Sequence, residues 1–334
     1  MRLVHAGHAA GLRAWAVAAL TAVLLATACG SSSPGSSSSP SSPGTALEKT
    51  SLVVGALPVV DDAPLFLAIK NGYFKQQGLT VKPEIIPQST LALPDLLHGT
   101  IDIIGSGNYV SYFEGQAQGT FNVRVLAAAA ACTPKSFSIL ALPSSHITGP
   151  PGLEGKTIAV NLTNNIQTVT TNAVLKQAGV SPSSVKYVVV PFPNMAAALK
   201  AHRVDAISAV EPFVTGSEQS DGAKIVMSEC SGTTANLPLS GYFATQAWTQ
   251  KYPNTARAFQ RAIAKAQALA SSDPAAVKQI LPTYTKISAA AAQHIALNSF
   301  PVATNATDLQ RVANLMLADG MLKTRLDVQT MLFR

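Results

Sequence analysis

From Ser51 onward the chain switches repeatedly between two hydrophobic periods. Short β-rich runs such as "SLVVGAL", "TVKPEII" and "IDIIGSG" are separated by stretches in which apolar residues return every three to four positions. That alternation marks βα units around a mainly parallel sheet. "APLFLAIKNGYFKQQG" predicts a helix with Leu65, Ile69 and Tyr73 on one face, ended by Gly78 in a left-handed conformation. "STLALPDLLHGT" predicts another, with Ser89 or Thr90 as N-cap and Pro94 in its first turn or at a kink. "NYVSYFEGQAQG" is a third helix, and "VRVLAAAAA" and "FSILALP" are strands on either side of Cys132.

"SSHITGPPGLEG", residues 144–155, interrupts this pattern with two prolines and three glycines and is expected to cross from one lobe to another. The alternation then restarts: strands "KTIAVN", "VKYVVVPF", "VDAISAV" and "KIVMSE" enclose helices "IQTVTTNAVLKQAG", "NMAAALKAHR" and one beginning at Glu211. "CSGTTANLPLSG" is the expected return crossing, followed by a strand "YFAT" and a helical tail from Gln246 that includes "AAAAQHIALNSF". In that tail Phe259, Ile263, Ala266 and Leu269 form an apolar stripe suited to a core. The boundaries predict one lobe from 47–143 plus 240–334 and a second from 144–239. Two passages repeat, "DLLHGTIDIIGSGNY" and "ALKAHRVDAISAVEPF". With Asp102 on Asp205, Leu96 meets Leu199, Ile101 meets Val204 and Ile104 meets Ile207. Each copy reads as a helix feeding a strand, and each Asp, at the strand start, is placed to accept from local backbone N–H groups.

The N-terminus has another character. "MRLVHAGHAAGLR" is a positively charged leader, and "AWAVAALTAVLLATA" (14–28) is an apolar run of signal-peptide length, short for a membrane span. Residues 1–28 are therefore expected to be a signal peptide. "LLATAC" resembles a bacterial lipobox with Cys29 as the lipidated residue; Ala26 stands where Leu is commonest, and an ordinary cleavage near Ala28 is the alternative. The Ser/Pro/Gly tether that follows, to residue 46, cannot pack a core. These segments place the protein on the extracytoplasmic face of a bacterial membrane, held by lipid alone. Net charge is +7, and +5 once Arg2 and Arg13 are removed; the basic residues are scattered, which argues against a nucleic-acid partner. In an exported chain Cys132 and Cys230 are expected to form a disulfide, with two buried unpaired thiols as the alternative.

"DDAPLFLAIKNGYFKQQGLTV", "LPDLLHGTIDIIGSG", "LEGKTIAV", "VLKQAGV" and "ALKAHRVDAISAVEPF", in this order, resemble the solute-binding proteins of the nitrate/sulfonate/taurine and thiamine-pyrimidine-precursor group, which serve ABC importers. The resemblance covers 51–334. One departure is His202, where that phrase more often has Gly. The resemblance implies an α/β, two-lobed periplasmic-binding-protein-like fold of type II. It also implies two hinge crossings, a ligand between the lobes, a permease as partner, a monomer and no cofactor.

In such sheets ligands bind beyond the carboxyl ends of strands, at helix N-termini. The corresponding loops here hold Asp61 and Asp62; Ser106, Gly107, Asn108 and Tyr109; Thr163, Asn164 and Asn165; "PFPN" at 191–194; and Glu211 and Phe213. The Ser, Thr and Asn residues offer neutral donors and equally serve as plain N-caps. Tyr109, Phe213 and Tyr242 are placed either to stack on a flat ligand or to pack the core. Three acids and no arginine fall in these loops, so a bare anion is disfavoured. A taurine-like zwitterion or an aminopyrimidine suits the set better than nitrate. No G-x-x-x-x-G-K-[ST] or G-x-S-x-G motif occurs, and His98, His146, His202 and His294 lack metal-ligand spacing. A pyrimidine-precursor synthase with this fold uses iron, but its cysteine-rich motif has no counterpart here. We therefore expect no catalytic residues, no metal and no enzyme activity, with a tethered ligand sensor as the other reading.

Overall fold

The computed structural model describes residues 46–334. The signal segment, Cys29 and the tether up to residue 45 lie outside the described residues. Among the described residues no helix is long and apolar enough to cross a membrane.

The described residues hold ten strands: β1 (Ser51–Ala56), β2 (Thr80–Ile85), β3 (Ile103–Asn108), β4 (Val123–Ala131), β5 (Phe137–Ala141), β6 (Thr157–Val160), β7 (Lys186–Val189), β8 (Ala206–Val210), β9 (Lys224–Ser228) and β10 (Pro238–Thr245). They form two five-stranded sheets, ordered β2-β1-β3-β10-β4 and β7-β6-β8-β5-β9. In each, the first three strands are parallel and the fourth runs antiparallel to both its neighbours. The same plan is thus built twice. The antiparallel strand of each sheet is the one that arrives from the other lobe, β5 after β4 and β10 after β9. Pro83 is accommodated in β2 because that strand lies at a sheet edge.

The chain accordingly changes lobes at 132–136 and 229–237. The expected first crossing at 144–155 is corrected: that stretch joins β5 to β6 inside the second lobe, through short turns at Pro143–Ser145 and Pro150–Leu153. Its prolines and glycines mark turns, whereas lobe membership is set by strand pairing, and β5 pairs with β8 and β9. The single helix expected across 63–78 is two, Ala63–Lys70 and Tyr73–Gln76, broken where Gly72 takes φ +68°. Gly78 ends the second at φ +75°.

The two repeated passages have the same physical role. Asp102 Oδ2 accepts from Val53 N at 2.9 Å and Asp205 Oδ2 accepts from Thr157 N at 2.8 Å, so each acid ties its strand to the middle one of the three parallel strands of its own sheet. Gly99 and His202, 103 residues apart, both close the preceding helix with left-handed backbone, at φ +80° and +53°.

Helix Pro253–Ser272 lays its apolar stripe against Ala63–Lys70 and β4, with Phe259, Ile263 and Ala266 fully buried. Helix Ala306–Ala318 rests on Tyr109–Ala117 of the first lobe and Ile166–Gln177 of the second. Asp319 at its end accepts from Asn172 Nδ2 and Lys176 Nζ, both at 2.6 Å, so the tail touches both lobes. Of the helix expected over "AAAAQHIALNSF", only Ala289–Ala292 is helical. Beyond it Ser299 bridges to Ala131.

Candidate functional site

The lobes meet along the carboxyl ends of their parallel strands, and a small cavity of about 40 Å³ lies there, called the polar cavity for its acid, amides and hydroxyls although Leu162, Ile166, Val210 and Leu239 also line it. The first lobe supplies Leu57, Val59 and Asp61 after β1, Ser89 after β2, Ser106 and Asn108 from the end of β3, and Ser240 of β10. The second lobe supplies Asn161, Asn165 and Gln167 after β6, and Phe192 after β7. The lining contains one carboxylate, Asp61, and no Lys, Arg or His.

Local folding rules place these groups. Asn108 and Asn165 cap the helices that follow them, accepting from Ser111 N at 2.9 Å and Thr168 N at 3.1 Å. Ser106, which lines the cavity, takes a left-handed backbone at φ +50° within β3. Gly105 leaves no room for a side chain, since a Cβ there would stand 2.6 Å from Asp62 Oδ1. Gln167 links cavity and sheet, accepting from Asn161 N at 2.7 Å and donating to Ser208 O at 2.6 Å.

Asp61 and Asp62 form the electrostatic centre. Asp61 accepts from Ser240 Oγ at 2.5 Å and from Asn298 Nδ2 at 2.6 Å. Asp62 Oδ2 accepts from Leu57 N at 2.7 Å, and the Ser106 hydroxyl lies beside it. Asp62 Oδ1, Tyr242 OH and Asn298 Oδ1 are buried without a hydrogen-bond partner. Burial raises the affinity of both carboxyls for protons, that of Asp62 up to about 8, with the charge of Asp61 adding to it. Two acids side by side without a cation are costly when ionised; a cation at Asp61 relieves that cost.

The structure divides the sequence-predicted residues. Asp61, Ser106, Asn108 and Asn165 line the cavity, and Asp62 stands directly behind Asp61. Thr163 and Asn164 are exposed at the rim, where Asn164 O accepts from Ser111 Oγ at 3.2 Å across the cleft. Phe213 lies outside the polar cavity, stacked on Phe192 at 5.5 Å between ring centres. Gly107, Tyr109 and Tyr242 belong to the core of the first lobe: a Cβ on Gly107 would meet Phe243 at 2.7 Å, and both tyrosines are fully buried. Glu211 is likewise structural. Its carboxylate accepts from Thr215 N at 3.0 Å, Thr215 Oγ1 at 2.8 Å and Ala296 N at 3.1 Å, so it is consumed in capping and in holding the tail. The pairing expected for Cys132 and Cys230 is also corrected, since both are free thiols, buried side by side on the two crossings. Asn161 opens the expected loop "NLTNN" (161–165), whereas Ser89, Gln167, Ser240 and Asn298 were not expected at the site. Ser89 follows β2 just as "GSGNY" ends β3, a signal that was available. Asn298 lies in a segment with a helical pattern and gave none.

Hydrogen bonds already cross the cleft. Val60 N donates to Glu211 O at 3.0 Å, Asn164 Nδ2 to Glu114 Oε1 at 3.4 Å, and Gln88 Nε2 to Asn161 O. The lobes are therefore closed on each other, and the polar cavity is far smaller than the ~300–1,000 Å³ usual for ligand pockets.

Comparison with known proteins agrees with this architecture. The structure superposes on the alkanesulfonate-binding protein SsuA from Xanthomonas axonopodis pv. citri bound to MOPS with a TM-score of 0.72, at 20% identity, covering 86% of this chain and 100% of that one. The periplasmic nitrate-binding protein NrtA from Synechocystis PCC 6803 gives a TM-score of 0.74 at 16% identity, covering 85% of each chain. At these identities the likeness concerns the fold, which is the two-lobed fold of periplasmic binding proteins. A protein of Brachyspira hyodysenteriae named as an ABC transporter periplasmic binding protein is 26% identical over 255 residues, 72% of this chain and 71% of that one. The family model described as NMT1/THI5 like matches residues 60–277, which include both repeated passages, both crossings and every lining residue after Val59. The chain belongs to the NMT1/THI5 like family.

Proposed function

We propose that the chain is the substrate-binding component of an ABC importer. It captures a small nitrogen- or sulfur-bearing organic solute between its lobes, and the closed form docks on a permease. The family, the fold and the relative named as a periplasmic binding protein support that role. A leader ending in "LLATAC" supports export and a lipid anchor on Cys29, leaving a monomer tethered at the outer face of the membrane. Mass spectrometry of the membrane fraction would detect a diacylated N-terminal Cys29; a chain beginning elsewhere would refute the anchor.

One observation carries the choice of solute: Asp61 lines a cavity that has no basic side chain. Two of the structural neighbours are named for binding alkanesulfonate and nitrate, yet a bare anion beside Asp61 finds no countercharge here. A solute with a protonated nitrogen fits, either a taurine-like zwitterion or the aminopyrimidine precursor of thiamine. A thermal-shift and calorimetric screen of taurine, aminopyrimidines, alkanesulfonates and nitrate tests this. Stabilisation at a hundredfold excess over Kd is about 2.7 kcal/mol, a readily measured shift. Nitrogen cations should stabilise the protein and nitrate should not. Tight nitrate binding would sink the assignment.

A further inference from the structure

Some of the basic residues that are scattered along the sequence come together in the fold. Helix Pro253–Ser272 buries one side against Ala63–Lys70 and β4; on its outer side Arg257, Arg261 and Lys265 follow at four-residue spacing, all exposed. Lys251 before this helix, and Lys70 and Lys75 in the two helices it packs on, are exposed as well. The six belong to two stretches, 63–83 and 246–272, that contain no Asp or Glu.

Neutral groups hold these cations. Arg261 Nε donates to Gln77 Oε1 at 2.6 Å and Lys265 Nζ to Gln76 Oε1 at 2.8 Å. Lys265 Nζ also lies 4.4 Å from the ring centre of Tyr73, Lys251 Nζ 5.2 Å from that of Tyr252, and the Arg257 guanidinium 5.6 Å from that of Phe333. The ion pairs among the described residues are Lys49–Asp102, Lys176–Asp319 and Lys200–Asp221, none of which uses these six, and residues 1–45 contain no acid to add another. Glu48, the acid at the start of the helix, accepts from Asn254 N at 3.1 Å and Thr255 N at 3.0 Å. The face therefore keeps a surplus of positive charge.

The tether reaches the described residues at the same place, where Ala46 O accepts from Asn254 Nδ2 at 3.3 Å. Sixteen residues separate Ala46 from Cys29, at most about 55 Å of chain. That length lets any side of the domain turn to the membrane, so a surface contact has to select one. The basic face lies towards the amino ends of the strands: Gln77 precedes β2 and Lys49 precedes β1, whereas the polar cavity follows the carboxyl ends of β1 and β3.

We infer that this face of the first lobe rests on the anionic lipid headgroups of the membrane that carries the anchor, with the solute cleft turned away from the lipid. Lipid phosphates meet Arg257, Arg261 and Lys265, and the half-buried rings of Tyr73 and Tyr252 lie at headgroup level. The place of contact rests on the anchor at Cys29 proposed above; the charge of the face does not.

The protein for the test is the chain from residue 29, the form left by removal of the signal segment, with Cys29→Ser so that no lipid is attached. Sedimentation with vesicles of phosphatidylcholine alone, or with one third phosphatidylglycerol, measures the contact. The chain should bind the second and not the first. It should dissociate as salt rises from about 0.01 M to about 0.15 M, where the screening length falls from about 30 Å to about 8 Å. Arg257→Gln, Arg261→Gln and Lys265→Gln together should weaken binding about fivefold per charge, roughly a hundredfold in all. Lys186→Gln, Arg203→Gln and Lys224→Gln, on exposed positions of the second lobe, remove the same charge and should leave binding within about twofold, since they lie beyond the screening length. Equal binding to both vesicles or to neither, or equal losses in the two triple variants, overturns the inference. Retention by dextran sulfate without binding to the anionic vesicles would assign the face to a soluble polyanion and overturns it too. An unlipidated Cys29 in cells would show in the mass spectrum while vesicle binding stands, so the two readings fail separately.

Discussion

Asp62 shows what a single buried group imposes. Its carboxyl is fully buried against the pair's other acid, and burial holds its proton up to about pH 8, far above the range of the unfolded chain. A group whose folded pKa is raised favours the fold at low pH, where both states carry the proton. That advantage drains away as pH rises from about 4, where the unfolded chain ionises, towards 8. Tyr242 and Tyr284, which feel both aspartates, stay neutral through this window because burial pushes them up as well. Without solute, the melting temperature should therefore fall between about pH 4 and pH 8, and Asp62→Asn should flatten the slope. Equal slopes for the two proteins would refute the assignment of that proton to Asp62. His202 is a second case. It holds a left-handed backbone at φ +53° where its counterpart is Gly99. His202→Gly should stabilise by roughly 1 kcal/mol in chemical denaturation, since the side chain's clash is removed; a loss of stability would count against this. Asp61 was legible in the sequence because acids beyond a strand end are conspicuous. Glu211, Tyr109 and Tyr242 were misread because their loop positions reveal proximity to the cleft, while the direction of each side chain is set by packing that sequence spacing does not encode.

Elements carry the fold through repetition. The helix–strand passages containing Asp102 and Asp205 were legible as a pair because the same apolar spacing serves the same packing twice. What they bond to was not: each acid reaches a neighbouring strand, 49 and 48 residues away. Asp102 also accepts from Lys49 Nζ at 2.5 Å and Trp248 Nε1 at 2.8 Å, whereas Asp205 has the strand alone. Asp102→Ala should accordingly cost more than Asp205→Ala, by about 1–3 kcal/mol, because it leaves buried donors unmatched. Equal costs in denaturant titrations would refute that ranking. The crossings were harder to place, since Pro and Gly mark turns wherever they occur. The two thiols lie on the true crossings: Cys132 N donates to Leu237 O at 3.0 Å and Cys132 Sγ to Thr234 O at 3.2 Å. Contact with Cys230 draws the Cys132 thiol pKa down, while burial pushes that of Cys230 up. Oxidised glutathione should convert this pair to an intramolecular disulfide, with two electrons and two protons passing to glutathione. Closing a loop of about 100 residues stabilises by roughly 4–5 kcal/mol. Alkylation of the unfolded, unreduced product would find no free thiol; two alkylated cysteines would refute it.

At the scale of the whole molecule, the cleft couples binding to closure. The groups that bridge the lobes, Gln88 with Asn161, Ser111 with Asn164 and Val60 with Glu211, lie around the polar cavity, and helix Ala306–Ala318 rests on both lobes. Bonds between lobes favour the closed arrangement even before solute contributes, and solute shifts the balance only by its preference for that arrangement. Removing a bridge that does not touch the solute should then open the free protein and weaken binding together, since part of the binding energy is diverted to closure. Gln88 is suited to this test, because it is buried, donates across the cleft and is not among the residues that line the polar cavity. Gln88→Ala should enlarge the radius of gyration of the unliganded protein in small-angle scattering. Saturating solute should restore the wild-type value. Loss of one such bond, about 0.5–1.5 kcal/mol, corresponds to a two- to thirteenfold weaker Kd. A variant that opens without losing affinity would separate closure from binding, and scattering that stays unchanged at saturation in both proteins would refute hinge closure as the mechanism.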